Sequence, residues 1–165
     1  MPVSFLTESG SSIMWAADQI LRSDIRPGDI VIWGLTRCCR FPYYDNKVLH
    51  ILSRYYEYYP EFNNIININR LDEPNMIYRS VTKILQVVNF CKKAGAKLIL
   101  AGVLVDNDFL PYLIGLDEYL HCSGTSTNLE RTSPEFIDYG IDNEHPGPLT
   151  HRMYADKILS FIKNV

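Results

Sequence analysis

No apolar run in the chain approaches the roughly 18 residues needed to cross a bilayer. The first ten residues, MPVSFLTESG, lack both the basic start and the long apolar stretch of a secretory leader. A cytoplasmic protein without membrane association is therefore expected. Clustered basic residues are also missing: the 16 Lys and Arg are scattered among 19 Asp and Glu, for a net charge of -3, so a nucleic-acid surface is not expected. No Gly-rich phosphate loop is present, which argues against a nucleotide binder of the flavodoxin type. The four cysteines, Cys38, Cys39, Cys91 and Cys122, form no CxxC pair. They make neither a disulfide framework nor, with His121, a recognised metal-ligand spacing, so reduced thiols and no metal or other cofactor are expected. Internal repeats and low-complexity tracts are absent.

What is there suits one ordinary globular domain spanning residues 1–165, with 47% hydrophobic and 21% charged residues. Pro2 to Leu6 is a short β-prone run, broken by TESGSS. Ile13, Ala16, Ala17, Ile20 and Leu21 then recur at helical spacing. After the RPGD punctuation, IVIW has four bulky apolar residues without alternation, the pattern of a strand buried on both faces of a parallel sheet. KLILAGVLV, Lys97 to Val105, follows the same rule. It is preceded by a helix from about Asn75 to Lys93, whose stripe is Ile77, Val81, Ile84, Leu85, Val88 and Cys91 and whose stop is Gly95. Between the two strands lies a tyrosine- and asparagine-rich stretch, read as a short helix around Lys47 to Tyr56 and then an irregular insert. Its six tyrosines from Tyr43 to Tyr59 suit amphipathic packing better than an aromatic wall for a substrate. FLPYLIGL reads as a short helix, FIDYG as a short strand or extended run, and the segment from Leu149 as a last amphipathic helix.

Strands alternating with helices predict an α/β sandwich with a mostly parallel sheet, whose ligands bind beyond the carboxyl ends of the strands. Polar residues gather in the loops at those ends, TESGSS, GLTRCCR, DNDF and DNEHP. Asp142 and His145 stand three apart on the loop before the last helix, where a carboxylate can orient a histidine acting as general base. Ser9, Ser11 and Ser12 are the available hydroxyls, on a turn whose amides can also hold an anion. The competing reading is plain: serines before a helix are also what an N-cap requires. Arg37 and Arg40 suit either a substrate anion or acidic neighbours. His151 reads as a polar-face residue of the last helix and Trp33 as core.

Three stretches, GSSIMWAADQILRSDIRPGDIVIWGLTRCCRF, VTKILQVVNFCKKAGAKLILAG and FIDYGIDNEHPGPLTHRMYADKIL, resemble the SGNH or GDSL hydrolases, particularly their phage-type members. The last is the most specific, since that family closes on an Asp, two residues, His-Pro and a helix. The resemblance implies a three-layer α/β/α sandwich of flavodoxin-like topology. It also implies a metal-independent serine esterase or deacylase acting on a small-molecule or glycan acyl ester. The roles of orienter and base carry over to Asp142 and His145, with Ser9, or in its place Ser11 or Ser12, as attacking hydroxyl. Gly10 matches the family's oxyanion-hole glycine, and Ser11, Gly34, Thr36 and Arg37 complete the expected oxyanion and substrate contacts. Thr36 stands where the family has Asn, and the family's opening Gly-Asp-Ser is not found. Either FLTES replaces that block, or TESGSS is the family's second block and the nucleophile strand is missing. A chain without that strand must move another into the gap or borrow one from a partner, which would make a homo-oligomer. A catalytically inactive binding or assembly module is the alternative.

Overall fold

The computed structural model describes residues 4, 12–35, 40–45, 48–52, 73–102, 109–121, 138–141 and 147–164. The chain is mixed α/β and forms two compact units, the first comprising Met1–Asp29 and Thr36–Ala96 and the second Ile30–Leu35 and Lys97–Val165.

In the first unit, α1 (Ile13–Arg22) and α2 (Glu73–Ala94) pack together. Ile13, Ala17 and Ile20 bury one face of α1 at the expected helical spacing. The Asp18 carboxylate accepts a 2.7 Å hydrogen bond from Lys83 Nζ across the helix pair. α2 is rotated relative to the expected stripe. Its buried line runs through Met76, Ser80, Ile84, Val87, Val88 and Cys91, whereas Leu85 is 42% exposed. Ser80 sits on that line as a buried polar residue, which a purely apolar pattern passes over. The predicted stop is present: Gly95 has φ 70°, its N–H donates to Lys92 O and that of Ala96 donates to Cys91 O, the paired bonds of a left-handed glycine cap. Pro27 lies against Gly95, and the Gly28 N–H donates to Gly95 O at 2.9 Å, so the RPGD turn docks on the end of α2.

The first unit also holds a hairpin, β2 (Phe41–Asp45) and β3 (Val48–Leu52), paired antiparallel with Asp45 opposite Val48. This corrects the helix expected from Lys47: two residues separate the strands, a spacing suited to a tight hairpin rather than a helix start. Counting from Asp45 and Val48, hydrogen-bonded and non-bonded pairs alternate, and Pro42, opposite Ile51, falls on a non-bonded site where its missing N–H costs nothing. Tyr43 and Tyr44 lie in β2, and the other tyrosines of that stretch lie outside the described residues. So does the expected first strand, apart from Ser4, which is exposed and outside any strand.

The second unit is a parallel sheet in the order β1 (Ile30–Leu35), β4 (Lys97–Gly102), β5 (Tyr119–His121), with α3 (Pro148–Asn164) against it. Parallel pairing of β1 with β4 is as expected, but burial of β1 on both faces is not: Trp33 and Leu35 are buried while Ile30 and Ile32 are 42% and 51% exposed. The pleat sends alternate side chains to opposite faces, and a short all-apolar run cannot tell one covered face from two. β4 is buried from Leu98 through Gly102. Of FLPYLIGL, Leu110–Tyr112 forms a single 3₁₀ turn, with Phe109 and Leu113 buried beside it. β5 carried no alternating signal in the sequence, and it forms because its neighbour β4 offers a free ladder.

Candidate functional site

At the carboxyl side of the described sheet the three parallel strands are level, since Leu35 is in register with Gly102 and Gly102 with His121. Beyond this carboxyl edge is where an open parallel sheet places ligands. Gly102 is buried there and has to be glycine, because a Cβ on it would run into the Tyr119 hydroxyl and ring, which occupy the space a side chain would need.

α3 runs opposite to β4. Lys97 Nζ, at the start of the strand, donates to Ile162 O near the helix's end at 3.1 Å, and Ala101 packs on Tyr154 with Leu120, Met153 and Ile158 around them. Four strand residues cover about 13 Å. Eight helical residues cover about 12 Å, so the two elements stay matched along their length. The first turn of α3 is thereby brought to the carboxyl edge of the sheet.

That turn is held by a residue ten positions earlier. Asp138 Oδ1 accepts from Thr150 N at 2.8 Å and Oδ2 from Leu149 N at 3.0 Å, so both carboxylate oxygens satisfy amides that the helix itself cannot. Thr150 Oγ1 lies 2.8 Å from Oδ1, and Gly147 N donates to Asp138 O at 3.0 Å. Desolvation pushes the Asp138 pKa up. The Leu149 and Thr150 amides, the Thr150 hydroxyl and the charge of His151 outweigh it, and the carboxyl is held below its ordinary value. Gly147 is required beside it, because a Cβ there would lie 2.5 Å from Oδ2 and 2.6 Å from the Tyr139 carbonyl oxygen. The eight residues between Asp138 and Gly147 thus leave and return at one closed point, and they include Asp142 and His145.

Of the residues expected to form the site, Gly34 alone is described. It pairs with Ala101 one position before the end of β1, is exposed, and has nothing within 4 Å of the place a Cβ would occupy. Ser9, Gly10, Ser11, Thr36, Arg37, Asp142 and His145 lie outside the described residues. Ser12 is described and takes the capping role: it is fully buried, and its Oγ accepts from Trp15 N at 3.0 Å as N-cap of α1. His151 lies in α3, exposed, its ring edge-on to Tyr154 at 6.3 Å.

Asp138, Gly147 and Thr150 are what sequence reasoning missed. A signal existed in the PGP at Pro146–Pro148, where only a glycine separates two prolines, but the contact from Asp138 to Thr150 spans twelve residues and no local pattern encodes it. Among the described residues, no three His, Cys, Asp or Glu side chains gather as metal ligands, and no helix is long and apolar enough to cross a membrane. Compared with known proteins, the chain matches no protein-family model, no curated protein and no solved structure.

Proposed function

We propose that the chain is an SGNH-like serine hydrolase of three-layer α/β/α architecture that removes an acyl group from a small-molecule or glycan ester in the cytoplasm. The observation that carries this reading is the closed base of the loop bearing Asp142 and His145, tied by Asp138 to the helix start at the carboxyl edge of a parallel sheet. A loop whose two ends are clasped together at the start of a helix is one way in which a fold presents an acid–histidine pair with defined geometry.

In the proposed reaction His145 takes the proton of the Ser9 hydroxyl as its oxygen attacks the ester carbonyl. The alkoxide leaving group then takes that proton, leaving an acyl-serine that water hydrolyses by the same route. Asp142 orients the imidazole. Backbone N–H groups near Gly10 and Gly34 hold the oxyanion, with Ser11 and Thr36 beside them, and Arg37 pairs with a substrate anion. The open space over Gly34 supports the close approach of a substrate to its backbone.

A second reading, a catalytically inactive binding or assembly module, is favoured by one observation: Ser12, the serine of TESGSS nearest the helix, is committed to capping it. Labelling with a fluorophosphonate probe separates the two. Modification of one serine, located by mass spectrometry and lost in His145→Ala, is the hydrolase result. Absence of labelling in folded protein moves the assignment to the binding module.

A further inference from the structure

The outer face of α3 carries a pattern of exposed residues that the proposed site does not use, bordered by Met153 of the core. A shallow groove runs along it, lined by Leu149, Arg152, Met153, Asp156, Lys157 and Ser160. Two leucines of this face stand in solvent, Leu149 in the groove at 55% and Leu159 beside it at 53% exposed. Arg152 and Asp156 lie between them, both exposed and, among the described residues, in no ion pair.

The spacing is symmetric about Tyr154. Leu149 and Leu159 stand five residues to either side of it, and Arg152 and Asp156 two residues to either side. At about 100° per residue, all four fall within roughly 80° of helix circumference. We propose that this face is a self-association surface on which a second copy of the chain docks, its α3 antiparallel to the first about a two-fold axis level with Tyr154. That operation sets Arg152 of each copy opposite Asp156 of the other, twice, and a leucine pair at each end. Parallel docking would set arginine against arginine. An unrelated partner would need complementary charge but no symmetry in it, and the symmetry is what selects a second copy.

One helix pair buries less than a standard interface, so the dimer forms and dissociates with concentration. Sedimentation velocity between about 1 µM and about 1 mM should show wild type moving from monomer to dimer. Arg152→Asp and Asp156→Arg each place like charges opposite one another and should weaken self-association about tenfold or more. Mixed together, these two variants should pair with each other, because every contact is then Asp against Arg. Leu159→Asp should weaken the dimer too, and circular dichroism checks that each variant is folded. Wild type that stays monomeric throughout, reversals without effect, or two variants that ignore each other would each overturn the proposal.

Discussion

Asp138 and Thr150 hold each other at four points. The Thr150 amide donates to the Asp138 carboxylate at 2.8 Å, the Asp138 amide donates to the Thr150 hydroxyl at 3.2 Å, and that hydroxyl lies 3.0 Å from the Asp138 carbonyl and 2.8 Å from its carboxylate. The hydroxyl has one proton, so the two Asp138 oxygens share it while its lone pairs take the amide. Thr150 is fully buried, and this clasp satisfies a polar group that would otherwise cost stability.

The clasp is pH-dependent, with a definite sign. Because the Asp138 carboxyl is held below the ordinary 3.8, its stabilising effect is complete above that value and is lost as pH falls from there through the folded-state pKa. Asp138→Asn should lower Tm at neutral pH, and the gap from wild type should narrow as pH drops below 3.8. A gap that stays constant with pH would mean that shape, not charge, carries the effect.

Gly147→Ala forces a Cβ to 2.5 Å from the Asp138 carboxylate. The turn must shift, and the expected loss is about 1–3 kcal/mol in urea unfolding. If the proposed hydrolase reading holds, serine labelling should fall with it, because the same turn closes the loop that bears His145.

Gly102 and Tyr119 should behave as a coupled pair. Gly102→Ala drives a methyl group into the phenol and should destabilise by about 1–3 kcal/mol. The same change in a Tyr119→Ala background should cost clearly less. Equal costs in the two backgrounds, measured by a double-mutant cycle in denaturant, would place the origin elsewhere.

Ser12→Ala removes the N-cap of α1 and should cost about 0.5–2 kcal/mol of stability. Fluorophosphonate labelling of the remaining serines should be unchanged. Loss of labelling without loss of stability would reverse the two roles.

Much of the fold was legible where local chemistry and tertiary need coincide. Ile13, Ala17 and Ile20 gave α1, Gly95 gave the end of α2, and the continuous run from Leu98 to Gly102, without a polar side chain, gave the buried central strand of the described sheet. The hairpin was missed because VLHIL carries apolar residues compatible with either period, and a partner strand decided for β. α2 starts two residues before and ends one residue after its expected bounds, and it turned its face while keeping Ile84, Val88 and Cys91 buried, since overlapping stripes on one helix differ by less than a 100° step and only the packed partner selects between them.

The candidate site divides along the same line. Residue types and their spacing, Asp142 before His145 and serines before a helix, are properties of the sequence by itself, because they follow from order along the chain. Tertiary structure decided which serine caps a helix and which distant carboxylate closes the last loop. It also decided which strand positions stay exposed. The cap is a local contact, three residues from Ser12 to Trp15, but the other two choices depend on residues twelve or more apart, as from Asp138 to Thr150, whose contact energies exist only once the elements have met.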